Sequence, residues 1–346
     1  MDNQIPNPEM LDLIVSPCFC VKDGTICQRN RAASILPLGD RIQPLLCTGQ
    51  EEYAAFSGGS LYLTLSLGGS IFGAAVERKG GLDFFLLEYP GETGELRVLA
   101  LAAKVLRQPL SGILSSSQEL RDIAGAEETM ASINRGAAQL LRILGNMSSA
   151  AYGSFHPEMV ELTAAFREIF EKASVLLADA GLVVSYQGLE TSLYCMADLQ
   201  ELERAILNLL SNAAKFSPQT GTISCTLTRQ GRMLRLCIQD SGSGIADEIR
   251  GSVFLRYLRH PAIEDNRFGL GLGLVLVRSC ASHHGGTVLI DHPAQGGTRV
   301  TMTLAIRQDG GNALRSPILR VDYVGERDHD LVELSEVLPQ ENYKEL

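Results

Sequence analysis

The 346-residue sequence contains no tryptophan and no C-x-x-C pair among its eight cysteines. Cys18 and Cys20 are the one close pair. With no histidine-rich partner following them, they read as reduced, half-buried thiols rather than as a metal centre. Excess positive charge is also lacking: the net charge is −10, which argues against non-specific binding to nucleic acid or to an anionic membrane. No long apolar run is present either. The most apolar stretch, LYLTLSLGGSIFGAAV at 61–76, is interrupted by Gly68-Gly69 and is too short to span a bilayer. The opening MDNQIPNPEM is polar rather than a signal peptide, so a soluble, cytoplasmic protein without a membrane span is expected. Histidine is scarce. His156, His260, His283, His284, His292 and His329 are the full set, and none lies within 95–150.

What is present suffices for several cores: 45% of the residues are hydrophobic and 20% are charged. Residues 1–93 read as a small sheet domain. Asp23-Gly24 stands between two alternating apolar runs as a hairpin signal, and 60–90 gives three strands separated by glycine turns. Asp23-Gly24-Thr25-Ile26 followed by Asn30-Arg31-Ala32-Ala33 resembles the first hairpin of PAS domains, which implies an antiparallel sensor-type sheet.

Residues 95–150 read as two long helices. Leu99, Ala103, Leu106, Leu110 and Ile113 form a bundle seam in the first, and Met130, Ile133, Ala137, Leu140, Leu144 and Met147 form one in the second, with a break at 124–128. Pro109 removes a backbone donor and is expected to bend the first helix. A lone hairpin buries such faces poorly, so two chains are expected to pair into a four-helix bundle. Residues 155–307 read as an α/β domain with a mixed sheet and helices on one face. The tail, 308–346, holds nine acidic and four basic residues, half of the net negative charge, and DLVELSEVLP within it suits a short helix.

Four segments of the third domain carry chemistry. In ERAILNLLSNAAKFSP (203–218), Asn208 and Asn212 lie one helical turn apart, with Lys215 one turn on. Amide oxygens suit Mg²⁺ and a lysine suits phosphate. IQDSGSGI (238–245) ends an apolar strand on Asp240, and Gly242 and Gly244 let a base approach the backbone. RFGLGLGLVLV (267–277) places Gly269, Gly271 and Gly273 before a helix whose N–H groups can face a polyphosphate, although the loop is neither a Walker nor a Rossmann loop. QGGTRVTMTL (295–304) turns through Gly-Gly-Thr298 into a strand.

In this order, the four segments resemble the ATP-binding domain of sensor histidine kinases, within the larger group of gyrase, Hsp90 and MutL. The likeness extends over about 96–307 once the helical hairpin is matched to that family's dimerisation domain. It implies an α+β multidomain chain: a PAS-like antiparallel sheet domain, a helical-hairpin dimerisation bundle and an α/β sandwich ATP-binding domain. It also implies Mg²⁺ on Asn212, phosphate on Lys215 and the adenine amine on Asp240 flanked by Gly242 and Gly244. Asn208 completes the N box and Phe254 matches the F box. Arg256 and Arg259 stand as lid or phosphate residues, Gly269, Gly271 and Gly273 line the phosphates, and Thr298 joins the nucleotide-binding set. Leu270 replaces the family's usual Thr or Ser. Asn208 occupies the position where the group's ATPases carry a glutamate, so fast intrinsic hydrolysis is not expected.

The family's acceptor helix reads S-H-E-L-R-T-P-L. Here it is Ala103-Lys104-Val105-Leu106-Arg107-Gln108-Pro109-Leu110, which puts Lys104 at the histidine position, Val105 at the acid and Gln108 at the residue used for phosphatase chemistry. An exposed lysine with an ordinary pKa of about 10.4 is protonated and non-nucleophilic. Self-phosphorylation there is not expected. One reading is therefore an ATP-dependent kinase acting on a histidine of a partner chain. A second is a pseudokinase that binds ATP and regulates a partner histidine kinase or response regulator as a homodimer or heterodimer. A serine-directed kinase of the anti-sigma type is the least suited to the hairpin and the front domain.

Overall fold

A computed structural model describes residues 8–88, 94–119, 123, 125–152, 155–245, 253–254, 271–308 and 328–344. The front unit begins with the expected hairpin, β1 (Cys18–Lys22) and β2 (Thr25–Arg29), in which Asp23 and Gly24 both take positive φ. Asn30 then acts as a buried hub. Its Oδ1 accepts from the amides of Cys18 at 3.0 Å and Ala33 at 2.9 Å, and its Nδ2 donates to the carbonyls of Ile14 at 2.8 Å and Ser16 at 2.9 Å. It thereby caps the short helix α1 (Arg31–Ser34) and fixes the segment before β1. The helix α2 (Gln50–Ala55) leads into β3 (Ser60–Leu67), β4 (Ser70–Lys79) and β5 (Leu82–Glu88). These five strands pair antiparallel in the order β2-β1-β5-β4-β3. Phe19 and Phe85 stack at 4.8 Å in their core, beside Tyr53, whose hydroxyl donates to Asp83 at 2.6 Å.

Two long helices follow, α3 (Gly94–Gln118) and α4 (Glu127–Tyr152), and α3 runs through Pro109 without interruption. Their buried faces match the expected seams in part. Ala103 and Leu110 share a core with Ala137, Leu144 and Met147, joined by Leu114, Ala138 and Leu141, whereas Leu106, Ile113 and Leu140 are about half exposed. The reason is that the apolar surface of this hairpin is wider than one stripe. One stripe closes the hairpin, and a second, with Val98, Leu101, Val105, Leu106 and Ile113, remains on the surface of the single chain.

The α/β unit contains β6 (Glu158–Glu161), α5 (Leu162–Asp179), β7 (Val183–Gln187), β8 (Tyr194–Ala197), α6 (Leu199–Phe216), β9 (Thr222–Gln230), β10 (Met233–Asp240), α7 (Gly273–His283), β11 (Val288–Asp291) and β12 (Arg299–Ala305). In β10, Leu234, Leu236 and Ile238 alternate inward, the period of a half-buried strand. In α6, Leu202, Ala205, Ile206, Leu209, Leu210 and Ala213 form one stripe, and they share a core with the inward residues of β9 to β12. The helix starts where Asp198 accepts from the Glu201 amide at 3.0 Å.

Ten of the front and rear strands form one sheet among the described residues, in the order β2-β1-β5-β4-β3-β11-β12-β10-β9-β7, while β6 and β8 pair with each other. The joint is antiparallel pairing of β3 with β11, Tyr62 opposite Val288 and Ser60 opposite Ile290, so each strand covers the other's open edge. Gly59 makes this joint possible, because at its positive φ a Cβ would run into the Ile290 carbonyl.

The tail segment at 328–344 is folded back onto the molecule. DLVELSEVLP does open with a short helix, α8 (His329–Glu333), and Val332, Leu334, Leu338 and Tyr343 enter the main core. ILRVDYV (318–324), whose alternating apolar residues read as a strand in the sequence, lies outside the described residues.

Candidate nucleotide site

Asp240 closes β10 and is nearly buried. Its Oδ1 accepts from the amides of Gly242 at 2.8 Å and Thr298 at 3.0 Å, which leaves Oδ2 for another donor. Two backbone amides fix the direction of this carboxylate. The backbone packs tightly around it, which requires glycine. A Cβ on Gly242 would strike the Phe216 carbonyl, and one on Gly297, at φ 81°, would strike the Asp240 carbonyl. Gly244 lies at φ 79° against the His292 ring, whose Nδ1–H donates to the Gly297 carbonyl at 2.9 Å.

Helix α6 presents the asparagines. Asn208 is buried, with Nδ2 donating to the Arg204 carbonyl at 2.9 Å and Oδ1 accepting from Arg142 of α4 at 3.2 Å. Asn212, one turn on, is half-buried. The first residue of α7, Gly273, comes so close that a Cβ there would sit 3.1 Å from Asn208 Oδ1 and 3.7 Å from Asn212 Nδ2. Gly273 thus meets the asparagine face. Gly271 precedes the helix at φ 71°. Phe254 is fully buried, its carbonyl accepting from Arg278 at 2.6 Å and its ring 5.6 Å from Tyr62 of the front unit. Arg278 also pairs with Glu88 at 2.5 Å. Arg256, Arg259, Gly269 and Leu270 lie outside the described residues.

Lys104 is exposed on α3, apart from this constellation in the single chain, in keeping with a solvated lysine. Lys215 is nearly buried and forms an ion pair with Glu336 of the tail. Burial first, and then the Arg142 charge, push its ammonium down to about 7. The Glu336 carboxylate against it favours the charged form and so opposes both effects. Arg142, Arg204, Glu333 and Glu336, all at this site, were not among the residues the motifs single out. Their signal in the sequence is faint: an arginine inside the apolar run of α4, and two glutamates three apart among the tail's apolar residues.

Behind the start of α6, His284 donates from Nδ1 to the Cys280 carbonyl at 2.8 Å and accepts at Nε2 from the Asp198 amide at 3.0 Å. Cys280, Glu201 and His284 cluster closely enough to invite a metal, but both His284 nitrogens are engaged and burial holds the Cys280 thiol well above its usual range.

The fold is an α/β unit attached to a helical hairpin. Residues 197–308 match the family model described as histidine kinase-, DNA gyrase B- and HSP90-like ATPase. The adaptive-response sensory kinase SasA of Synechococcus sp. strain CC9311 is 28% identical over 64% of this chain and 60% of its own length. The signal transduction histidine-protein kinase/phosphatase MprB of Mycolicibacterium smegmatis is 30% identical over 59% of this chain and 43% of its own. Among solved structures, full-length ShkA in complex with AMPPNP superposes with a TM-score of 0.51 at 21% identity, covering 63% of this chain and 47% of ShkA, a likeness of fold. Residues 197–308 therefore form a domain of the histidine kinase-, DNA gyrase B- and HSP90-like ATPase type, and the relatives similar to the chain are sensor histidine kinases. The chain spans 60% of SasA and smaller shares of the next curated relatives. Among the described residues, no helix is long and apolar enough to cross a membrane.

Proposed function

We propose that this chain binds Mg-ATP between β10, α6 and α7 and works in two-component signalling as a dimeric kinase whose acceptor histidine lies on a partner chain. The observation that carries the reading is Asp240: one carboxylate oxygen is held by two backbone amides, which leaves the other for a donor, in a turn whose Gly242 and Gly297 have no room for a side chain. That is the form of a site for an exocyclic amine on a flat base. Asp240 accepts the adenine amine. Gly242, Gly244 and Gly297 admit the ring, and Thr298 supports the carboxylate from behind. Asn212 holds the Mg²⁺, Lys215 and Gly271 to Gly273 hold phosphate oxygens, and Arg256 and Arg259 join them from the lid. Bound ATP supplies the γ-phosphoryl group. Asn208 offers no carboxylate to activate water, which spares the nucleotide for transfer. The surface stripe of α3 suits a second copy or a related chain, completing a four-helix bundle in the cytoplasm. The order β2-β1-β5-β4-β3 supports a PAS-like sensor at the front.

Lys104 favours a second reading. An exposed lysine at the acceptor position, with Val105 and Gln108 beside it, suits a pseudokinase that regulates a partner kinase or response regulator by contact.

The test is incubation with Mg²⁺ and γ-labelled ATP of the wild type, Lys104→His and Asn212→Ala. An unlabelled wild type beside a Lys104→His variant with acid-labile label supports transfer to another chain. Asn212-dependent labelling of the wild type sinks the pseudokinase reading. No label on either, with ATP bound, leaves the pseudokinase reading and removes the kinase one.

A further inference from the structure

The cations at the phosphate end are not waiting in water. Arg142 and Lys215 are almost fully buried, Arg204 nearly so, and the tail meets all three. Glu336 pairs with Lys215 and, at 2.5 Å, with Arg142; Glu333 lies 3.5 Å from Arg142 and 3.4 Å from Arg204 and is itself fully buried. Desolvated cations at this depth require anionic partners. The tail supplies carboxylates at the place where the nucleotide reading puts phosphates.

The rest of the segment reads as a docking peptide. Leu334, Leu338 and Tyr343 are buried. Asn134 of α4 donates to the Tyr343 carbonyl at 3.0 Å, Gln139 to the Ser335 carbonyl at 3.2 Å, and Gln340 to the Glu128 carbonyl at 2.7 Å. The docked segment therefore bridges the hairpin helix α4 to the nucleotide helix α6. Arg142, which joins the same two helices through Asn208, is held in place by the tail glutamates.

We propose that residues 328–344 are an intramolecular competitor for the phosphate end of the nucleotide site: Glu336 occupies Lys215 until a nucleoside polyphosphate displaces it, and displacement frees α6 from α4. The proposal rests on the nucleotide reading of Asp240, Asn212 and Lys215. A tethered carboxylate competes at high effective concentration, so the docked state lowers apparent affinity by the fraction of molecules left open.

The test uses the full chain and Mg-AMPPNP. Glu336→Gln, which keeps the shape and removes the charge, is expected to bind about tenfold or more tightly than the wild type, and Asp240→Asn to bind far more weakly. In the wild type, saturating Mg-AMPPNP is expected to raise amide hydrogen exchange across 329–338. If the wild type binds in an Asp240-dependent way while Glu336→Gln binds no tighter and the exchange does not change, the competitor role is overturned and the nucleotide reading stands. If Mg-AMPPNP binds none of the variants, the nucleotide reading falls and takes the proposal with it. Should Glu336→Gln not fold, the exchange measurement on the wild type decides alone: unchanged protection under bound nucleotide overturns the proposal.

Discussion

Arg142 of the hairpin helix α4 donates to Oδ1 of Asn208 on the nucleotide helix α6 at 3.2 Å, so the first asparagine of the site is engaged by another unit of the chain. The same guanidinium pairs with Glu333 and Glu336. One side chain thus joins hairpin, nucleotide domain and tail. Replacing it with methionine leaves two carboxylates buried with fewer cations, a loss on the order of 3–5 kcal/mol. The expected result is a clear fall in the denaturant midpoint at an unchanged slope.

Asp240→Asn tests the base-recognition end separately from the fold. The amide oxygen still accepts from the Gly242 and Thr298 amides, so stability should change little. The group aimed at the ligand loses its charge or becomes a donor. A charge-assisted hydrogen bond contributes about 1.5–3 kcal/mol, so nucleotide affinity is expected to fall by about ten- to a hundredfold. Calorimetric titration with Mg-AMPPNP reads this directly.

Gly297→Ala attacks the same wall from the other side. Its positive φ and the approach of the Asp240 carbonyl leave no room for a methyl group. The expected cost is about 1–3 kcal/mol in stability, together with weakened nucleotide binding as the Asp240 turn shifts. Gly231→Ala is the comparison for the conformational part alone: Gly231 also has positive φ, but open space surrounds its Cβ.

His283 and His284 are neighbours with opposite titration. The hydrogen bond to Glu201 raises His283, whereas burial, the larger cause, lowers His284 despite its bond to the Cys280 carbonyl. His283 therefore stabilises the fold fully below about pH 6.5, and this contribution disappears as pH rises through its raised folded value. His284 acts the other way. Below about 6.5 the unfolded chain takes up a proton that the folded chain refuses, so stability falls as pH drops. Imidazole proton resonances followed from pH 8 to 5 should give midpoints on opposite sides of 6.5, and Glu201→Gln should bring that of His283 down.

Periodicity made much of this fold legible. The stripe of α6 and the alternation of β10 report local geometry, because a helix or strand half-buried against one core must repeat its apolar residues at 3.6 or 2. Short-range chemistry was equally readable: Asp23-Gly24 formed its hairpin, and Asp240 was followed by the glycines its turn needs. The α3 and α4 seams were less so, since Leu106, Ile113 and Leu140 fit a heptad but lie on the surface of the single chain. A sequence with apolar residues on two faces does not say which face its own hairpin will bury.

Period and turn signals by themselves determined a strand-rich front, two long helices and a following mixture of strands and helices, while the nucleotide domain and the place of Lys104 were expectations from a resemblance of motifs. Only the tertiary structure decided that β3 completes the edge of β11, that Arg142 reaches Asn208, and that Glu336 sits on Lys215. These are pairings between residues far apart in the chain. They depend on where whole elements pack and on which buried charge finds an opposite one, and nothing in the local spacing of residues encodes that choice.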